Sequence, residues 1–440
     1  MKRLRSALLR WMLAVMGIGS LAAATPRVLL DAGFADAAAA AAWQPWTPRS
    51  ELSPEFAFDP QGGRTGGALR LTAPGPATFG AWRRQISGLT GGKTYRFTAW
   101  FRSENIPNER RSVIPRLQWL DAQAQPVKVT VRPPEYVLDT GRENGWTQVE
   151  TTLTAPETAA GLDVQLALGF AAGASLWWDR VVLAEVDPVP GRTVRVMTVH
   201  QRPRGLRSAA ANVEAFIATI LQHRDQRPDI ICLPEGMTVV GTGKSYVDVA
   251  ESLPGPTTER LGAIARELNT YIVAGLYERE APAVFNTAVL IDRTGRLVGR
   301  YRKTHLPREE WEQGLTPGDT YPVFDTDFGR IGLMVCWDLQ FPEPWRALGQ
   351  QGAELVLLPI WGGSETLLRA RAIENHAFVV SSSYDMRSCV VAPDGQILAE
   401  ATSTAPVATA AVDLDRKIYQ TWLGDMSTRT WKERRGDLPP

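Results

Sequence analysis

The alternation of apolar and polar positions changes character near the middle of the chain. From Pro26 to about Val186 it has a period of two. Lys93 to Glu104 places Tyr95, Phe97, Ala99 and Phe101 on one face of an extended segment and Trp100 on the other. The runs GALRLTAP, VIPRLQWLD, WTQVETTLTAP, GLDVQLALGF and SLWWDRVVL behave alike, with Gly, Pro and Asn between them. Strands at short intervals without helical patterns between them predict an antiparallel β-sandwich over 25–187. A Pro-rich stretch then supplies a linker at 188–191.

After the linker the period lengthens. Ala209 to Arg224 carries Val213, Phe216, Ile217, Ile220 and Leu221 at the spacing of one helix face. Short continuous apolar runs such as DIICLPEG, YIVAGLYE, RIGLMVCWD and ELVLLPIW alternate with helical segments such as TTERLGAIAREL, EPWRALGQQGAE and ETLLRARAIENHA. Buried strands alternating with helices predict a layered α/β domain over 192–440.

The length of 440 residues suits two domains. A net charge of +1 asks for neither nucleic acid nor an anionic membrane as partner. Lys2, Arg3, Arg5 and Arg10, then an apolar stretch from Trp11 to Leu21, then Ala22 and Ala24, read as a signal peptide over 1–24. The chain is therefore expected to be exported, to the periplasm or beyond. Three cysteines do not make a disulfide framework, and the odd count leaves a free thiol.

The four histidines, His200, His223, His305 and His376, never fall at metal-ligand spacing, and no Gly-rich dinucleotide motif follows a strand. Neither a metal nor a cofactor is expected. The polar residues at the exits of buried strands are the candidates for chemistry. Glu235 follows DIICLP; taken alone, it reads as a capping or solvent-facing carboxylate. Lys303 continues the apolar face Leu297, Gly299, Tyr301, whereas Arg300 and Arg302 lie on the other face. Cys336 ends the apolar run RIGLMV, where the strand gives way to Trp337 and Asp338. Cys232 and Cys389 sit inside strand-like runs and read as inert core thiols.

Taken together, DIICLPE, YRKTHLP and GLMVCWDLQFPE, in that order, closely resemble the glutamate, lysine and cysteine motifs of the nitrilase, or carbon–nitrogen hydrolase, superfamily. FNTAVLID, LTPGDTYPVFDTDFG and ARAIEN resemble further family segments. The resemblance implies an αββα sandwich and cleavage of a non-peptide carbon–nitrogen bond in a small amide or N-carbamoyl compound. It implies Glu235 as general base and acid, Lys303 as the cation that stabilises thiolate and oxyanion, and Cys336 as nucleophile. The backbone N–H of Trp337 is implied as an oxyanion donor. A second glutamate is implied near Pro317-Gly318; of Glu309, Glu310 and Glu312, Glu312 is favoured by its position. Trp361 and Asn286 are expected to line the pocket, and a homodimer or higher homo-oligomer is expected.

Two other functions are compatible with these motifs. One is an N-acyltransferase in which an amine resolves the thioester. The other is a glycan-binding protein on an inactive scaffold. The N-terminal half resembles jelly-roll modules of the carbohydrate-binding type, and Trp82, Trp100, Trp119, Trp177 and Trp178 are its candidate sugar-stacking platform.

Overall fold

A computed structural model describes residues 27–127, 134–420 and 423–435. The expected signal peptide, 1–24, lies outside them. The period-two half forms two antiparallel sheets. One orders the strands Glu55–Asp59, Ala68–Thr72, Ser175–Val186, Thr94–Glu104, Trp146–Thr154 and Leu138–Glu143, with Val28–Ala32 paired to the far part of Ser175–Val186. The other orders Gln44–Trp46, Phe79–Ser87, Gly161–Gly169, Val113–Leu120 and Glu135–Tyr136. Alternate residues from both sheets, among them Phe97, Phe101, Leu117, Val164 and Leu166, share one core. Strand Ser175–Val186 changes partner at a bulge. There Arg180 adopts φ +52° and Asp179 turns inward to accept from the backbone N–H of Arg64 and Arg180.

The tryptophans correct the expected platform. Trp82, Trp119 and Trp178 belong to the core between the sheets. Trp177 is also buried, on the outer face, where it packs with Trp146 and donates to Asp59. Trp100 alone of the five is half-buried, and the Arg64 guanidinium lies 3.8 Å above its ring. Burying an aromatic ring removes more apolar surface from water than almost any other side chain, so a sheet interior takes tryptophans first.

The second half has four layers. One six-stranded sheet runs Leu297–Arg302, Ala283–Ile291, Tyr271–Glu280, Ile230–Cys232, Thr193–Val199 and Val407–Asp413; the other runs Val323–Asp325, Arg330–Leu333, Leu355–Pro359, Phe378–Ser382, Ser388–Val391 and Ile397–Ala401. The central pairs of both are parallel. The sheets face each other: Thr198 donates to the carbonyl of Ser381 at 2.6 Å and Ser382 to that of Val199 at 2.5 Å. Helices Ala209–Gln222 and Pro256–Leu268 cover the first sheet. Helices Pro342–Gln350 and Glu365–Asn375 cover the second, through Trp345, Leu348, Leu368 and Ala372. Both faces of each sheet are therefore dry, which explains the unbroken apolar runs of its strands.

Helix Met426–Glu433 leaves this half and packs on the first. Lys432 donates to the Val113 carbonyl at 3.0 Å, Tyr136 to Glu433 at 3.0 Å, and Lys417 to Glu135 at 2.9 Å.

Candidate active site

Three strand exits from two sheets converge at one end of the space between those sheets. Glu235 leaves Ile230–Cys232, Lys303 leaves Leu297–Arg302, and Cys336 follows Arg330–Leu333. Gly275, on the neighbouring strand, permits the first of these. A Cβ there would stand 2.5 Å from the Glu235 Cα, so only glycine lets the Glu235 backbone lie against that strand. Gly318 does the same for the lysine. Its N–H donates to the Lys303 carbonyl at 2.9 Å, and a Cβ would meet the Arg302 carbonyl oxygen at 2.3 Å.

Lys303 is 1% exposed. Its ammonium donates to Glu235 Oε1 at 3.0 Å and to Glu310 Oε1 at 2.8 Å. Asn286 Nδ2 donates to the same two oxygens, at 2.7 and 2.9 Å. The other Glu235 oxygen accepts the backbone N–H of Trp361 at 2.9 Å. A buried ammonium this far from water persists only because charges and hydrogen bonds compensate it. Burial by itself lowers its proton affinity; the Glu235 carboxylate, joined by Cys336 and Glu310 when these are ionised, outweighs that, and the net shift is upward. Lys303 is therefore a permanent cation.

The second carboxylate is Glu310, which corrects the expectation for Glu312. Helix Arg308–Glu312 turns about 100° per residue, so residues two apart point in nearly opposite directions. Glu310 faces Lys303, whereas Glu312 faces solvent beside Arg308. Burial raises the Glu310 carboxyl to about 7, against the pull of Lys303 and with the push of Glu235. Its Oε2 and Asn286 Oδ1 are buried without a hydrogen-bond partner among the described residues.

Cys336 opens the 3-10 turn Cys336–Gln340 with φ +43°, in the left-handed region that side chains with a Cβ avoid. Strain of this kind persists where neighbours over-determine the backbone, and here they do. Asp338 is buried and accepts from Tyr301 at 2.7 Å, Thr304 at 3.1 Å, and the backbone N–H of His305 and Val335 at 3.0 and 3.2 Å. It thereby pins the cysteine turn to the segment that carries Lys303. Arg371 closes the far end by donating to the carbonyls of Leu339 and Gln340. Burial pushes the Cys336 thiol up; the nearby Glu235 carboxylate adds to this and Lys303 opposes it. The thiol is therefore neutral at rest and within hydrogen-bonding reach of Glu235.

The structure thus brings together Glu235, Lys303, Cys336 and Asn286, with the backbone of Trp361 among them. Trp337 lies on the rim with its side chain 41% exposed, and its N–H, early in the turn, has no intrahelical acceptor. Cys232 and Cys389 are buried in strands away from this cluster. Pattern reading held Glu310 among three candidates but favoured Glu312, and it missed the Asp338 anchor. It also missed Tyr246 and Tyr277, which stack at 4.6 Å beside the two carboxylates. For Asp338 a signal existed: an acidic residue two places after a strand-ending cysteine.

A sequence profile of the carbon–nitrogen hydrolase family matches residues 193–419, which contain Glu235, Lys303, Glu310 and Cys336. Human omega-amidase NIT2 is 29% identical over 231 residues, which span 47% of this chain and 84% of that protein. A hydrolase in the pqqF 5′ region of Pseudomonas protegens is 32% identical over 233 residues, 47% of this chain and 79% of that one. The crystal structure of an amidase from Nesterenkonia sp. aligns at 27% identity with a TM-score of 0.46, over 52% of this chain and 93% of its own. The family match takes in just over half of the chain, and the chain belongs to the carbon–nitrogen hydrolase family, enzymes that cleave carbon–nitrogen bonds with water.

Proposed function

We propose that this enzyme hydrolyses an amide through a thioester on Cys336, with Glu235 as base and acid and Lys303 as the fixed cation. The observation that carries the reading is the buried, cross-bonded set of Glu235, Lys303, Glu310 and Asn286 facing a thiol. Because the thiol is neutral at rest, its proton leaves as the sulfur attacks, and Glu235 takes it. The new S–C bond sends the carbonyl electrons onto oxygen. Lys303 and the N–H of Trp337 hold that oxyanion. As the C–N bond breaks, Glu235 returns the proton to the leaving nitrogen, and ammonia or an amine departs. Water then attacks the thioester while Glu235 takes its proton. The acid is released and Cys336 regains its hydrogen.

Glu310 and Asn286 act through Lys303 and Glu235. They fix the ammonium and the carboxylate in one position, so neither reorganises as charge develops. The omega-amidase activity named for the human relative favours an amide over a nitrile, with an N-carbamoyl compound as the second choice. The test is a panel of primary amides and carbamoyl compounds scored for ammonia release, with mass spectrometry of quenched turnover. The expected species is an adduct on the Cys336 peptide equal to substrate minus ammonia. Turnover by folded Cys336→Ala, or an adduct on another residue, overturns the mechanism.

In the same reading the enzyme is exported, and the sandwich is a jelly-roll-like module that holds it near its substrate. A sugar ring would stack on Trp100 by displacing the Arg64 guanidinium from its face. Retention of the full chain, but not Trp100→Ala, on polysaccharide resins tests this.

A further inference from the structure

The two halves meet over a cleft of about 820 Å3, walled by Phe101, Ile106 and Arg110 from the sandwich and by Gln350, Lys432 and Arg434 from the hydrolase half. Its charges are unusual. Lys432 is 7% exposed, and among the described residues its ammonium has one hydrogen-bond partner, the Val113 carbonyl. Arg110 donates to the Gln350 carbonyl at 2.9 Å and lies 3.5 Å over the Trp431 ring. Arg434 donates to the Asn375 side chain at 3.2 Å and to the Glu374 carbonyl. Among the described residues, none of these three cations has a carboxylate within ion-pair distance; every hydrogen-bond partner is neutral.

The acidic groups at the cleft do not cancel them. Glu109 is paired with Arg142, accepts from Ser103, and acts on Lys432 only at longer range. Asp139 is exposed and acts on Arg110 and Lys432 only at longer range. Burial pushes all three cations down, Lys432 to about 8, and the Arg110 charge lowers the other two further. Like charges held together in a poorly solvated place raise the free energy of the fold, and a bound anion reverses the sign of that interaction.

We propose that this cleft binds a phosphate- or sulfate-bearing ligand, with Arg110, Lys432 and Arg434 as its anion ligands, and that the ligand bridges the two halves. Two guanidinium forks and one ammonium suit a tetrahedral oxyanion, which offers several acceptor oxygens at once. The volume exceeds that of a bare ion and is typical of a small-molecule site. Phe101, Ile106 and Phe170 provide an apolar wall for the body behind the anionic group. Nothing in this proposal depends on the chemistry at Cys336.

Thermal unfolding of the full chain tests it, with inorganic phosphate, sulfate and glucose 6-phosphate as probes and sodium chloride at matched ionic strength as control. Binding to the folded state alone raises Tm, by about 3 °C or more at saturation. Calorimetric titration of Lys432→Met and of Arg110→Gln is expected to show at least tenfold weaker binding. Tighter binding of glucose 6-phosphate than of phosphate identifies an ester ligand; equal binding identifies the free ion. No shift, a shift matched by chloride, or unchanged affinity in either folded variant overturns the proposal. Arg110→Gln keeps the test open if Lys432→Met does not fold.

Discussion

One hairpin, Ala283–Ile291 with Leu297–Arg302, carries a buried ion cluster on each face, and the two clusters differ in kind. Toward the space between the sheets, Asn286 and Lys303 join Glu235 and Glu310. On the outer face Glu278, 1% exposed, accepts from Thr287, Arg300 and Arg302, and both of its oxygens are taken. The outer cluster is complete: its arginines run out to water and to Glu280. The inner cluster buries its charged groups, faces the partly exposed thiol of Cys336, and leaves Glu310 Oε2 and Asn286 Oδ1 without partners among the described residues. Burial and ion pairing are common to both, so neither marks a reactive site. Unspent hydrogen-bonding capacity beside a nucleophile distinguishes the inner one.

The largest expected contrast comes from the thiol. Cys336→Ala is expected to lower kcat by at least about 1,000-fold with unchanged circular dichroism, because the nucleophile goes and a small side chain is lost. Activity within tenfold of the parent contradicts the assignment. Lys303→Arg is expected to lose about 100-fold or more, since a planar guanidinium cannot occupy a site shaped for a compact ammonium. Near-parental kcat in that variant makes the lysine structural, like its outer-face neighbours.

Glu310 sharpens the comparison through pH. Its carboxyl is raised from an ordinary 4.5 to about 7, so the folded chain holds a proton there that the unfolded chain releases. The associated stability is complete below pH 4.5 and is lost as pH rises through about 7. Glu310→Gln is expected to flatten that part of the stability–pH curve and to lower kcat about 10-fold or more, by loosening Lys303. Glu312→Gln is expected to change neither. A pH response in Glu312→Gln instead returns the role to the outward residue. Glu278→Gln is likewise expected to leave kcat within about threefold, but with a loss of about 1–3 kcal/mol in denaturant unfolding. A collapse of kcat in a folded Glu278→Gln protein joins the two clusters into one functional unit.

Much of this was present in the order of residues. Strand periodicity separated Tyr301 and Lys303 from Arg300 and Arg302 because successive side chains must point to opposite faces. The burial of Tyr301 and Lys303, and the pairing of both arginines with Glu278, follow that division. Apolar runs ending in Glu235 and Cys336 marked strand exits. The alternation in Lys93 to Glu104 placed Tyr95, Phe97, Ala99 and Phe101 in the sandwich core. Each of these depends on neighbours along the chain, and so on geometry that a few residues already fix.

What stayed hidden depends on neighbours in space. Glu310 and Glu312 are chemically identical and two positions apart. Only the docking of helix Arg308–Glu312 against Lys303 selects one of them. Trp177 and Trp178 are adjacent in sequence, yet one packs on the outer face and the other in the core, while Trp100 lies under an arginine from a distant loop. Asp338 anchors the cysteine turn because Tyr301, Thr304 and His305 arrive from the other sheet. The sequence alone determined which residues are able to react and which face of a strand each occupies. The packing of two sheets decided which of them meet, because a contact between distant segments exists only once the intervening chain has folded to bring them together.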